Sequence, residues 1–190
     1  MEYSINVGGR RLPFRMPSLD ELSQQRKAVR QEAKRLKGLK KLVRDCCLDQ
    51  LALDEVLEER SGAYVALGDA ILTASGAVGP LEVLEEHEVS EAQGKALVEC
   101  ASHGKLLAVR YAPKFGASMD LVLRTFTDRE LDEYTRGSES VASCKQIAKR
   151  VVKLGDIDTI EAKAPGLFIA ICEFLTEQTG ALMEIELGEA

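Results

Sequence analysis

Apolar residues recur at helical spacing in two stretches of this chain, and the stretches align without a gap. Ser61 to Ala77, SGAYVALGDAILTASGA, lies over Pro165 to Ala181, PGLFIAICEFLTEQTGA. Gly62 falls on Gly166, Ala66 on Ala170, Gly76 on Gly180 and Ala77 on Ala181, while Tyr64/Phe168, Val65/Ile169, Asp69/Glu173 and Ile71/Leu175 are like-for-like exchanges. Tyr64, Leu67, Ile71 and Leu72 mark the buried face of one amphipathic helix, and Phe168, Ile171, Cys172 and Leu175 that of the other. Gly76 and Gly180 stand just past the last turn, where a residue that accepts positive φ satisfies the orphan carbonyls. Pro165 suits a helix start, where its missing N–H costs nothing.

The correspondence continues upstream. Asp54-Glu55-Val56-Leu57 lies over Asp158-Thr159-Ile160-Glu161, and Leu42 to Cys47 lies near Ile147 to Val152. Further back, Pro17 to Leu22 resembles Phe126 to Leu131. Both contain Ser/Thr-x-x-Glu, the pattern of a capping box in which hydroxyl and carboxylate each take one free amide at a helix start. One supersecondary unit used twice explains such a match.

Around this repeat the pattern predicts further elements. Tyr3, Ile5 and Val7 alternate before Gly8-Gly9, and Leu12 and Phe14 follow, which reads as a β-hairpin with Pro13 confining the second strand to an edge. Ser18 opens a long helix towards Cys47, with Gly38 as its one candidate interruption, and a short helix spans Asp54 to Glu59. Leu81 to Val89 and Leu182 to Leu187 alternate apolar residues with glutamate and read as strands. A helix from Ser90 to Ser102, started by Ser90-x-x-Gln93, joins the halves, and Gly104 ends it. Lys105 to Tyr111 and Asp120 to Thr125 form a second hairpin across the loop Ala112 to Ser118, and Ser140 or Ser143 starts the helix that carries Cys144 and Ile147. The expected fold is α+β, with two tandem repeats, each a β-hairpin packed against about three helices. Residues 1–80 form the first repeat, 81–104 a strand and helix connector, and 105–190 the second.

Composition narrows the function. Of 190 residues, 45% are hydrophobic and 29% charged, a globular balance. Aromatics are 5% and Trp is absent, which disfavours a surface for stacking bases or sugars. The net charge of −6 disfavours non-specific nucleic-acid binding by the whole chain. No apolar run approaches the ~20 residues of a membrane span, so the expectation is a soluble protein made in the cytoplasm without membrane contact. Cys46, Cys47, Cys100, Cys144 and Cys172 show no paired spacing and read as reduced, buried thiols.

The candidate chemistry is sparse. Cys100-x-x-His103 has a metal-like spacing but lacks a second ligand pair, and Asp156-x-Asp158-x-x-Glu161 lacks the glycine and final glutamate of a calcium loop. Gly8-Gly9 is followed by no Gly-Lys-Ser/Thr and is a turn. With two histidines and no local nucleophile signature, no catalytic residue, cofactor or metal is assigned. Arg26, Arg30, Lys34, Lys37, Lys41 and Arg44 recur at spacings of three and four along the first helix. They form either a solvated face or an electropositive stripe for an acidic partner.

The order of these motifs resembles that of small tail-assembly proteins of bacteriophages: a hairpin, a Pro-Ser/Thr-x-x-Glu-type helix start, a Cys-bearing helix, a short helix and a helix ending in Ser/Thr-Gly. The opening line Tyr3 to Ser18 is of their type. The resemblance covers each half separately. It implies a non-enzymatic tail or baseplate protein that acts through contacts with other tail proteins, the tape-measure protein or a hub subunit among them. Such a protein is oligomeric or part of a large assembly, in the host cytoplasm during assembly or in the virion tail. The expected contact elements are the hairpin edges, the loop with Pro113, Lys114 and Phe115, and the stripe with Arg30, Lys34, Lys37 and Lys41. The alternative is a regulatory binding module that uses the helix from Arg26 to Arg44 on nucleic acid or an acidic partner.

Overall fold

The computed structural model describes residues 2–29, 31–79, 81–113, 118–137 and 140–179. Strands β1 (Glu2–Val7) and β2 (Arg10–Arg15) join through Gly8 and Gly9, at φ of 58° and 85°. Both are left-handed, as a two-residue turn must be to follow the twist of its strands. Leu12 and Phe14 are fully buried, and Phe14 bridges Cys47 while the Pro13 carbonyl accepts from the Leu48 amide at 2.9 Å.

Four helices follow this hairpin, one more than expected: α1 (Leu19–Val29), α2 (Glu32–Cys46), α3 (Gln50–Glu59) and α4 (Ala63–Ala74). The single helix foreseen from Ser18 to Cys47 is a helical hairpin, because the chain turns back near Gln31 and packs α2 on α1. Gly38 does not interrupt it. It lies inside α2 at the closest approach, where a Cβ would stand 2.5 Å from Cβ of Ala28. Helix α3 starts earlier than Asp54, since Asp49 caps it by accepting from the Ala52 amide at 3.0 Å; Asp54 instead receives Arg44 at 2.8 Å. Helix α4 closes as the sequence implies. Gly76 takes φ of 81°, and the amides of Ala77 and Gly76 donate to the carbonyls of Leu72 and Thr73.

The chain then enters β3 (Leu81–Val83), far shorter than the strand foreseen to Val89. Glu85 and Glu88 form a capping box that turns the backbone into one 3-10 turn, Glu86–Glu88, and so end the strand. Helix α5 (Glu91–Glu99) starts at the Ser90–Gln93 box, and a 3-10 turn, Ala101–His103, leads to Gly104. Strands β4 (Leu106–Tyr111) and β5 (Met119–Arg124) follow, then α6 (Asp128–Gly137), α7 (Val141–Val151), β6 (Val152–Leu154), α8 (Ile157–Lys163) and α9 (Leu167–Gln178). The sheet order is β3-β4-β5-β6, antiparallel throughout. Asp156 caps α8, and Ser140 rather than Ser143 caps α7. Gly180 and the strand foreseen at Leu182 to Leu187 lie outside the described residues.

Two apolar cores result. One gathers Leu12, Phe14, Leu42, Val43, Cys46, Leu53, Val56, Leu67 and Ile71. The other gathers the inner face of β4 and β5 with α7, α8 and α9, and Leu22 of α1 crosses into it. Gln93 is fully buried beside that sheet: its Oε1 accepts from the Ser90 amide, and its Nε2 donates to the carbonyls of Val109 and Leu121 at 3.2 and 3.0 Å. Both ends of the amide are engaged, so the α5 cap and the sheet form one hydrogen-bonded unit.

The two hairpins share their pairing. Tyr3, Ile5 and Val7 face Phe14, Leu12 and Arg10; Leu107, Val109 and Tyr111 face Leu123, Leu121 and Met119. The residues capping the following helices also share backbone geometry: Gly62 and Gly166 are both helical, and Arg60 and Ala164 end α3 and α8 at φ of −143° and −149°. Helix α2 is one turn longer than α7, 15 residues against 11.

Candidate interaction surfaces

The basic stripe does not survive folding as one surface. Arg26 is turned inward, where it donates to Tyr134 Oη at 3.0 Å and pairs with Glu173 at 2.9 Å. It therefore ties α1 to the C-terminal half. Lys41 pairs with Asp45 and Arg44 with Asp54. Lys34, Lys37 and Lys41 line a shallow groove of about 230 Å³ between α1 and α2, together with Glu21, Gln25 and Asp45. Carboxylates interleave with its lysines, so the groove lacks the uniform positive field that a phosphate backbone selects. Arg30, Lys114 and Phe115 lie outside the described residues, and Pro113 is half-buried at the start of its loop.

Two ionic locks, not foreseen, sit at matching places. Arg15 at the end of β2 donates to Glu21 and to the Met16 carbonyl, while Glu21 and Ser18 form the capping box of α1. Arg124 at the end of β5 donates to Glu130 and to the Thr125 carbonyl, while Glu130 and Thr127 form the box of α6. The Arg15 guanidinium holds the Glu21 carboxyl down to about 2. Burial pushes Glu130 up, but hydrogen bonds from Arg124 and Thr127 win and bring it to about 2. The signal was legible as Arg-x-x-Ser/Thr-x-x-Glu at both places, a charge placed three residues before each cap.

Of the five thiols expected to be buried, Cys100 at the end of α5 is only half-buried, because the helix ends there beside an exposed turn. Cys46, Cys47, Cys144 and Cys172 are buried, and burial pushes Cys46 up to about 12. A thiol so raised is not a nucleophile at neutral pH. His87 is exposed beside Glu85 at 3.5 Å. Among the described residues no three His, Cys, Asp or Glu side chains gather as a metal site, and no helix is long and apolar enough to cross a membrane.

The hairpin edges differ. In the larger sheet β3 covers the outer edge of β4, and β6 pairs with β5. On the first hairpin, Cys47 and Leu48 cover part of β2, whereas β1 pairs with β2 alone among the described residues. Tyr3, Ile5 and Val7 are half-buried, while their counterparts Leu107, Val109 and Tyr111 are buried. An edge of six residues that no second described strand pairs with, above a partly covered apolar face, has the form that accepts a further strand.

No family model matches this chain, and neither a curated protein nor a solved structure does.

Proposed function

We propose that this chain is a non-enzymatic assembly protein that acts through protein–protein contacts, of the bacteriophage tail or baseplate kind its motif order resembles. The observation that carries the contact role is the open outer edge of β1, whose inward residues stay half-buried where those of β4 are covered. Its charged groups support the same reading. Arg15, Glu21, Arg124 and Glu130 are committed to locking strand ends onto helix starts, and Arg26 and Arg44 fasten α1 to α9 and α2 to α3.

The test is co-expression with the tail and baseplate proteins encoded beside it. A defined complex is expected, and it is expected to be lost when the exposed β1 residues Ser4 and Asn6 are both changed to Lys, which blocks an edge without touching the core. A chain indifferent to every one of those proteins overturns the phage assignment.

A further inference from the structure

A single spacing of 104 residues relates several parts of this chain. It carries α4 onto α9, Gly62 onto Gly166, and β1 onto β4, since Tyr3, Ile5 and Val7 become Leu107, Val109 and Tyr111. Continued past α4 and α9, the same spacing carries Leu81-Glu82-Val83 onto Ile185-Glu186-Leu187. The first triplet is β3. It leaves the first half and pairs antiparallel with β4 of the second, with Leu81 opposite Tyr111, Glu82 opposite Arg110 and Val83 opposite Val109.

The strand that follows one unit thus completes the hairpin of the next. On the way it crosses the start of α9: the Gly166 amide donates to the Ser75 carbonyl at 2.7 Å, and a Cβ on Gly166 would lie 2.4 Å from the Ala77 nitrogen. Ile169 and Ala170 are buried there. The corresponding surface of α4 is open, with Gly62 and Ala66 exposed and Val65 40% exposed against 6% for Ile169. Among the described residues, then, nothing crosses α4 as the approach to β3 crosses α9.

We propose that segment 182–187 of one copy adds as an antiparallel strand to the outer edge of β1 in a second copy, crossing the start of that copy's α4. The spacing sets the register: Ile185 opposite Val7, Glu186 opposite Asn6 and Leu187 opposite Ile5. Ile185 and Leu187 then cover the half-buried face, and Glu186 lies one strand from Arg11, which pairs with Asn6. The contact is heterologous, one donor strand and one acceptor edge per copy, so copies join head to tail. The inference rests on the reading of β1 as a docking edge and not on the phage assignment.

The experiment uses the full chain, analysed by light scattering across a concentration series. Multiples of the chain mass are expected, falling to the single chain mass on deletion of 182–190, and equally on the double change Ile185→Asp and Leu187→Asp. A fluorescent peptide of sequence ALMEIELGEA is expected to bind the shortened chain and to lose binding with Ser4→Lys and Asn6→Lys. Variants Asn6→Cys and Glu186→Cys, each with the half-buried Cys100 replaced by Ser so that the four remaining native thiols are buried, are expected to give a mixed covalent dimer on oxidation. A full chain that stays monomeric, multimers that survive the deletion, or a peptide that binds the S4K/N6K chain equally well overturns the proposal. Capture of a tail protein through β1 by a chain otherwise monomeric overturns this inference alone and leaves the docking edge standing. Multimers of a chain that ignores every tail protein support it and remove the phage assignment.

Discussion

Helices α4 and α9 carry matching patterns, pack on matching neighbours and yet differ in cover. Each lies on the preceding long helix of its half, α2 or α7, and each starts at a glycine in helical conformation. Six consecutive residues of α9, Leu167 to Cys172, are buried, whereas α4 buries one face and exposes Val65. The difference is not in the helices. It comes from the strand and its approach, which pass over α9 and not over α4, so a helix sequence sets which residues face the core while a distant segment decides how much of the rest is covered.

The largest effect that would test this contrast lies in the ionic locks. Arg124 and Glu130 are 11% and 7% exposed, whereas Arg15 and Glu21 are 38% and 15% exposed. Glu130→Ala leaves a guanidinium stranded in the interior and is expected to lower stability in urea unfolding by about 3–5 kcal/mol. Glu21→Ala, whose Arg15 partner reaches water, is expected to cost about 1–2 kcal/mol. Equal losses would mean that the two halves are equally covered.

Acid should expose the same pair of locks. Both carboxyls sit near 2 in the folded chain, below their ordinary value of 4.5. Their contribution is therefore complete above about pH 4.5 and is lost as the pH falls towards 2. The shift corresponds to about 3 kcal/mol for Glu130 and less for Glu21, because water screens Arg15. Urea midpoints measured from pH 6 to pH 2 should fall through this window, and the Glu130→Gln chain should lose most of the slope.

A smaller effect separates the two glycines. Gly166→Ala drives a methyl into the backbone of Ala77 and is expected to cost about 1–3 kcal/mol. Gly62→Ala meets nothing within 4 Å and should stay within about 0.5 kcal/mol of the parent in thermal melts.

Much of this was readable from local pattern. The Gly8-Gly9 turn, the capping boxes at Ser18, Ser90 and Thr127 and the αL end at Gly76 each follow from a few adjacent residues, and all are present. What escaped depends on distant partners. Apolar and basic periodicity continues unbroken through Gln31, so it could not reveal that α2 folds back on α1, and Gly38 looked like a breaker because its closeness to Ala28 is tertiary. Alternation at Leu81 to Val89 suggested a long strand, but Glu85 and Glu88 cap a turn instead. Arg26 sat in register with a solvent-facing stripe, and nothing nearby in sequence announces Tyr134 or Glu173.

Strand β3 belongs to one half by its place in the sequence and to the other by its hydrogen bonds. As the polypeptide emerges from the ribosome, these three residues must wait until Val109 to Tyr111 have been made before they find a neighbour. A chain halted before residue 106 therefore carries Leu81–Val83 without the strand that they pair with.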